Sequence, residues 1–183
     1  MIKQLLIKIF LFIFISANGQ SIDIINPENN IGLKNWNVVN DDVMGGVSKS
    51  YLSLNDENNL IFSGNVSLDN NGGFASSRMG LGSESLNGIK SFKIKFRGDG
   101  SIYKLRLRQN NMRASYSSDF KSIKDKWVEV IIPIEDFKPT WRGYTYTNYP
   151  AIETEKINSL GIQISDKQEG EFKLEIKYIK AIF

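Results

Sequence analysis

The chain of 183 residues contains no cysteine and no histidine. Without cysteine there is no disulfide, no thiol nucleophile, no zinc–thiolate site and no lipid-modified N-terminal cysteine. Without histidine, Ser-His-Asp catalysis, histidine general bases and histidine-ligated metals are excluded together. An excess of one charge is also lacking: 23 Lys and Arg face 20 Asp and Glu, a formal net of +3. Long apolar runs are missing but for Ile9 to Ile15. That run is far short of the roughly 20 residues a membrane-spanning helix needs. Tandem repeats, low-complexity linkers and blocks of like charge are absent too, so a single domain is the economical reading.

The one apolar run has the flanks of a secretory signal peptide. Lys3 and Lys8 form a basic beginning, and Ala17-Asn18-Gly19 places small residues before a cut that makes Gln20 the new N-terminus. The expected layout is a signal peptide over residues 1–19 and one domain over residues 20–183. Losing Lys3 and Lys8 takes the formal charge from +3 to +1. That value makes no case for nucleic acid, which calls for a strongly basic face. Export without cysteine suits a compartment where folding relies on the core alone, a bacterial periplasm or the exterior. Once the leader is cut, no segment is left to insert stably in a membrane.

Period-two alternation dominates the rest. Phe92, Ile94 and Phe96 alternate with Lys93, Lys95 and Arg97, and Tyr103, Leu105 and Leu107 with Lys104, Arg106 and Arg108. The same holds for Val128, Val130 and Ile132, and for Phe172, Leu174 and Ile176. Such runs are half-buried strands with one face on a core. After Ile176 the phase slips onto Ile179, Ala181 and Phe183, which predicts a bulge near Tyr178. Turn signals recur between the runs, at Asn29-Asn30, Gly45-Gly46, Asn55 to Asn59, Asn70 to Gly73, Gly98 to Gly100, Asn110-Asn111 and Glu169-Gly170. Helical candidates are short: Ile134 to Phe137, and Glu153 to Ser159 closed by Gly161. The pattern is that of an all-β sandwich or barrel with one or two short helical turns.

With histidine and cysteine gone, acid–base chemistry falls to carboxylates, lysine or tyrosine. A glycosidase-like carboxylate pair is the enzymatic arrangement that remains, with Asp41, Asp42, Asp69, Asp99 and Glu129 as candidates. Nearly all sit in Asn/Gly-rich turns, where aspartate commonly bonds its own backbone, so no catalytic residue is assigned. In Trp36 to Ser50, Asn40, Asp41 and Asp42 gather oxygen ligands just before Gly45-Gly46. The cluster reads either as a calcium site at Asp41 and Asp42 or as an Asx-stabilised turn. In Asp69 to Arg78, Phe74, Ser76 and Arg78 share one strand face. Arg78, with Arg97, Arg106 and Arg108 on other strands, offers guanidinium groups for a carboxylate or a sugar hydroxyl, or else forms an exposed basic face. Trp141, Tyr144, Tyr146 and Tyr149 lie between Pro139 and Pro150. They are a platform for a sugar or protein partner, or a plug on one end of the sandwich.

Five segments in order, WNVVNDDVMGGVSKS, FSGNVSLDNNGGFASSR, FRGDGSIYKLRLR, WVEVIIPIEDFKPTWRG and INSLGIQISDKQEGEFKLEIKYIKA, resemble the complex I intermediate-associated protein 30 family. The DDVMGGVS and NNGGFASSR blocks are the specific parts. The resemblance implies a jelly-roll sandwich of the galactose-binding-domain-like type. In mitochondria it implies an assembly factor that binds intermediates of NADH:ubiquinone oxidoreductase. The leader differs from a transit peptide, which would be amphipathic and Arg-rich, so the assembly role is not carried over whole. The expectation is a non-enzymatic exported module for a protein partner in the cell envelope. A carbohydrate-binding module with Arg78, Arg106, Arg108, Trp141 and Tyr144 at its site is the alternative, and a carboxylate-based glycoside hydrolase a third.

Overall fold

The alternating runs become antiparallel strands in a computed structural model, which describes residues 20–29, 33, 35–82, 85–109 and 112–183. The leader expected at 1–19 and the turn residues Asn30, Asn110 and Asn111 lie outside the described residues. In chain order the strands are β1 (Ser21–Ile25), β2 (Trp36–Val38), β3 (Lys49–Leu54), β4 (Leu60–Val66), β5 (Ala75–Gly80), β6 (Ser91–Gly98) and β7 (Ile102–Gln109). They continue as β8 (Ser115–Lys121), β9 (Trp127–Pro133), β10 (Lys138–Trp141), β11 (Tyr144–Thr145), β12 (Ile157–Ile164) and β13 (Gly170–Ile182). One sheet runs β3-β4-β13-β6-β9, with β1 also on β13. The other runs β11-β10-β8-β7-β12-β5-β2.

The inward residues of both sheets make one core. Phe62, Phe92, Phe96, Phe172 and Leu174 come from the first sheet, and Tyr103, Leu105, Leu107, Tyr116, Leu160 and Ile162 from the second; all are buried. Rings meet across the gap: Phe96 and Phe120 edge to face at 4.8 Å, Tyr103 and Phe172 at 6.4 Å. Each ring removed from water contributes roughly 1.5–3 kcal/mol, which makes this layer the main source of stability. Tyr103 keeps its hydroxyl satisfied by donating to Asp99 at 3.0 Å. Burial, then the Asp99 charge, pushes that phenol well above its ordinary range.

The phase slip in the last strand is a bulge. Ile176 pairs with Phe96 and Tyr178 with Lys95, so one extra residue on β13 returns Ile179 and Ala181 to the core. The expected helical turn at Ile134 is a single 3-10 turn, Ile134–Asp136. The second expectation is corrected. Only Thr154–Lys156 is helical, and Gly161 lies inside β12 instead of closing a helix. Ile157, Leu160, Ile162 and Ile164 are drawn into the core by pairing with β5 and β7, and that burial outweighs the local helix signal.

Gly161 is required where it stands. A Cβ there would come within 2.8 Å of the Ser77 carbonyl oxygen and 3.2 Å of the Arg78 Cβ. Gly80, by contrast, has open space around its Cβ position. Gly161→Ala is therefore expected to cost about 1–3 kcal/mol in urea unfolding. Gly80→Ala should stay within about 0.5 kcal/mol of the parent.

Candidate functional site

Two parts of the molecule are built beyond what a sandwich needs, and the first is a clamp. Asp41 opens the 3-10 turn Asp41–Met44 and is 1% exposed. Its Oδ1 accepts the Ser48 amide at 2.9 Å, and its Oδ2 accepts the Ser48 hydroxyl at 2.5 Å. Oδ2 also accepts the amides of Gly73 at 2.7 Å and Phe74 at 3.3 Å, from the far DNNGGF turn. The two glycine pairs make room for this carboxylate. A Cβ on Gly46 would fall 2.4 Å from the Asp41 Cγ, and one on Gly72 would fall 2.6 Å from its Oδ2. Burial by itself raises the Asp41 pKa. The bonds from the Ser48 hydroxyl and the Gly73, Phe74 and Ser48 amides outweigh it and hold the group below its ordinary value.

Asp41 thus caps backbone amides, as the turn reading expects, but those of Ser48, Gly73 and Phe74 and not its immediate neighbours. Asp42, the other expected calcium ligand, is exposed and accepts the Val43 amide at 3.1 Å. Asn40 instead accepts the Ser50 hydroxyl at 2.6 Å. Among the described residues no three Asp, Glu, His or Cys side chains gather as a metal site.

The second built region is the outer face of the seven-stranded sheet. The register sets Arg78 of β5 and Arg106 of β7 on either side of Gly161, all three facing outward. Arg108 follows Arg106 by two residues and so shares the face. Around them the outward positions are polar and small: Ser76, Gln163, Ser159, Ser115 and Ser117. Arg106 donates to Gln163 Oε1 at 2.9 Å and to the Ser115 hydroxyl. Burial first, then the charges of Arg108 and Arg78, push its pKa down to about 10. Arg108 is lowered too, by burial and then by Arg78. Among the described residues none of the three has a carboxylate ion-pair partner.

The other expected site residues lie elsewhere. Arg97 is on the opposite sheet, where it pairs with buried Glu175 at 2.6 Å and covers the Trp127 ring at 5.0 Å. Trp141 and Tyr144 face each other on the β10–β11 hairpin, two strands beyond β7, with parity opposite to Thr140 on the arginine side. Trp141 is flanked by the guanidinium groups of Arg113 at 5.1 Å and Arg142 at 5.7 Å. From exposed Tyr144 the rings continue through Tyr146 and Tyr149 to buried Tyr116. The inner part of that ladder, Tyr116 and Tyr149, packs with the core, and its outer end at Tyr144 is exposed.

The acidic candidates sit in different settings, although Asp69 opens the turn whose Gly73 and Phe74 amides bind Asp41. Asp69 is an exposed turn residue, and Glu129 pairs with Lys93 at 2.7 Å. Asp99 accepts Tyr103 and the amides of Ser101 and Lys173 at 2.9 and 2.8 Å. A hollow of about 320 Å³ is lined by Arg97, Gly98, Asp99, Asp125, Lys173 and Glu175, of which Arg97, Asp99 and Glu175 are engaged as described. Composition did not single out Gln163, Ser115 and Gly161 as partners of Arg106. Their outward parity was readable, but not the register that brings position 163 to position 106.

The family model described as "Complex I intermediate-associated protein 30 (CIA30)" matches residues 24–176. The mouse (Mus musculus) protein named "Complex I intermediate-associated protein 30, mitochondrial" is 27% identical over 170 residues, covering 80% of this chain and 52% of that protein. A Caenorhabditis elegans protein named as its probable counterpart is 28% identical over 155 residues, covering 73% and 46%. The chain thus spans about half the length of these curated relatives. Among solved structures, a family 11 carbohydrate-binding module from Clostridium thermocellum, in complex with a β-1,3-1,4-mixed-linked tetrasaccharide, superposes with a TM-score of 0.64. Identity is 14%, with 88% of this chain and 95% of that one covered. An agarase matches with a TM-score of 0.60 and 10% identity, over 90% of this chain and 25% of that chain. At these identities the likeness is one of fold, a galactose-binding-like jelly roll.

The clamp predicts a pH signature. A carboxylate held below its unfolded value contributes stability above about pH 4, and loses it as pH falls through the lower folded value. Asp41→Asn sets an amide against N–H and O–H donors and should cost about 2–4 kcal/mol at neutral pH. Urea unfolding should show that difference shrinking as pH falls below about 4. Because donors already occupy both Asp41 oxygens, chelation with EDTA should leave the melting temperature unchanged; a bound ion would make it fall.

Proposed function

The chain belongs to the complex I intermediate-associated protein 30 family, and from its fold and its arginine face we propose that it is a non-catalytic carbohydrate-binding module. The single observation that carries this reading is the placement of Arg78, Arg106 and Arg108 on one polar sheet face without acidic partners among the described residues. Guanidinium forks with serine and glutamine neighbours supply the directional hydrogen bonds that sugar oxygens require. The solved carbohydrate-binding modules of the same fold support the reading. The commitment of Asp41, Asp99 and Glu129 to hydrogen bonds and an ion pair supports a module without turnover. The reading includes export by the expected leader, which would bring the module to glycans outside the cytoplasm.

A protein partner is the second reading, in keeping with the names of the mitochondrial relatives. It has its own observation: Val43, Met44 and Val47 are 67%, 49% and 46% exposed on the turn that Asp41 anchors. Such a patch is the kind of surface that a partner covers.

Affinity electrophoresis through gels containing single polysaccharides tests the first reading, with retardation by at least one of them expected. Arg78→Gln and Arg108→Gln should each weaken retention by about tenfold or more, the loss of a charge-assisted bond. Their unfolding free energies should stay within about 0.5 kcal/mol of the parent, because each removes a like charge from beside Arg106. Retention that ignores both substitutions would move the site elsewhere. Val43→Ser with Met44→Ser should leave glycan retention unchanged, and would weaken capture only of a protein partner.

A further inference from the structure

Lys104, Arg106 and Arg108 stand on the same outward face of β7, yet only the first is neutralised. Lys104 pairs with Asp119 at 2.8 Å and with Asp166 at 2.7 Å, so it takes two carboxylates for one charge. Arg106, Arg108 and Arg78 take none among the described residues. Three guanidinium groups are therefore held close on a face where the nearby acids are already committed. Like charges gathered this way repel, and on the half-buried Arg106 that repulsion from Arg108 and Arg78 adds to burial, the larger cause, in pushing its pKa down to about 10. It remains protonated at neutral pH all the same.

The outward positions of β5, β12, β7 and β8 across this face carry no aromatic ring. The nearest ring of matching parity is Phe74, half-buried and just ahead of β5. A neutral sugar held mainly by stacking thus has no platform among the arginines. What the face offers is charge and paired N–H donors, and a bidentate guanidinium matches a carboxylate or a sulfate. Gly161 leaves the space between Arg78 and Arg106 free of a side chain, about two strand spacings or ~10 Å from one backbone to the other.

We infer that the ligand of this face is an anionic polysaccharide, whose carboxylate or sulfate groups replace the carboxylates that Arg78, Arg106 and Arg108 lack. This rests on the carbohydrate-binding reading and narrows its substrate class. Nucleic acid is the less suited polyanion, because the outward positions of β5, β12, β7 and β8 carry no rings for bases to stack on and the charge expected after export is only +1.

Matched pairs of polysaccharides test the inference with the purified exported chain. κ-Carrageenan is compared with agarose, a sulfated against a nearly uncharged galactan, and polygalacturonate with its methyl ester. Mixed-linked β-glucan serves as a neutral glucan and oligo(dT) as a non-sugar polyanion. The expected result is at least about tenfold stronger binding to the charged member of one pair or both, falling as salt rises from about 50 to 500 mM. The pair that responds tells sulfate from carboxylate. Arg78→Gln and Arg108→Gln should abolish the charged-over-neutral preference, even where Arg106→Gln misfolds. Equal binding within both pairs, or a preference for β-glucan, would overturn the anionic ligand and leave the module reading standing. Oligo(dT) bound as tightly as the best polysaccharide would overturn the choice of a glycan. No binding to any of the six would overturn both readings.

Discussion

The Asp41 carboxylate, dry and bonded to four donors, joins two turns that the chain separates by 32 residues. One turn leads from β2 into β3, and so passes from the seven-stranded sheet to the six-stranded one. The other leads from β4 into β5 and passes back. Holding both crossings to one anion sets where β5 begins, and β5 carries Arg78. Neither turn can relax independently, since Gly46 and Gly72 are both pressed against the carboxylate. A buried charge is costly unless its lone pairs are filled, and here backbone amides fill them. That is why the two family-specific blocks, DDVMGGVS and NNGGFASSR, are rich in glycine on both sides of one acid.

The core and the outer faces are divided differently. Inside, rings from both sheets interlock, and any volume-conserving apolar set would keep the sandwich closed. Outside, the two sheets follow opposite charge logic. On the six-stranded sheet, Glu175 accepts from Arg97, Asn55 and Asn59, and Lys93 meets Glu129. On the seven-stranded sheet Lys104 is doubly paired, while Arg78, Arg106 and Arg108 have no carboxylate partner among the described residues.

Much of the architecture was legible from short-range pattern. The alternation at 91–97, 103–108, 127–133 and 172–177 gave strands at nearly those bounds, and the slip after Ile176 gave the bulge at β13. The failure at Glu153–Ser159 is instructive. A glycine after an apolar run reads locally as a helix stop, whereas Gly161 is a strand residue chosen for the close approach of β5. The aromatic cluster divided: Tyr149 packs against the core beside Tyr116, while Tyr144 stays exposed.

By itself the sequence determined the all-β class, the two-faced strands, the family and the exclusion of histidine and cysteine chemistry. These follow from composition and from the period of two, which neighbouring residues write directly. Only the tertiary structure decided that Asp41 serves backbone amides 32 positions away, that Arg97 leaves the other arginines, and that Arg78, Arg106 and Arg108 share one open face. Strand register and the pairing of distant charges are set by how whole sheets pack, so no local stretch of sequence contains them.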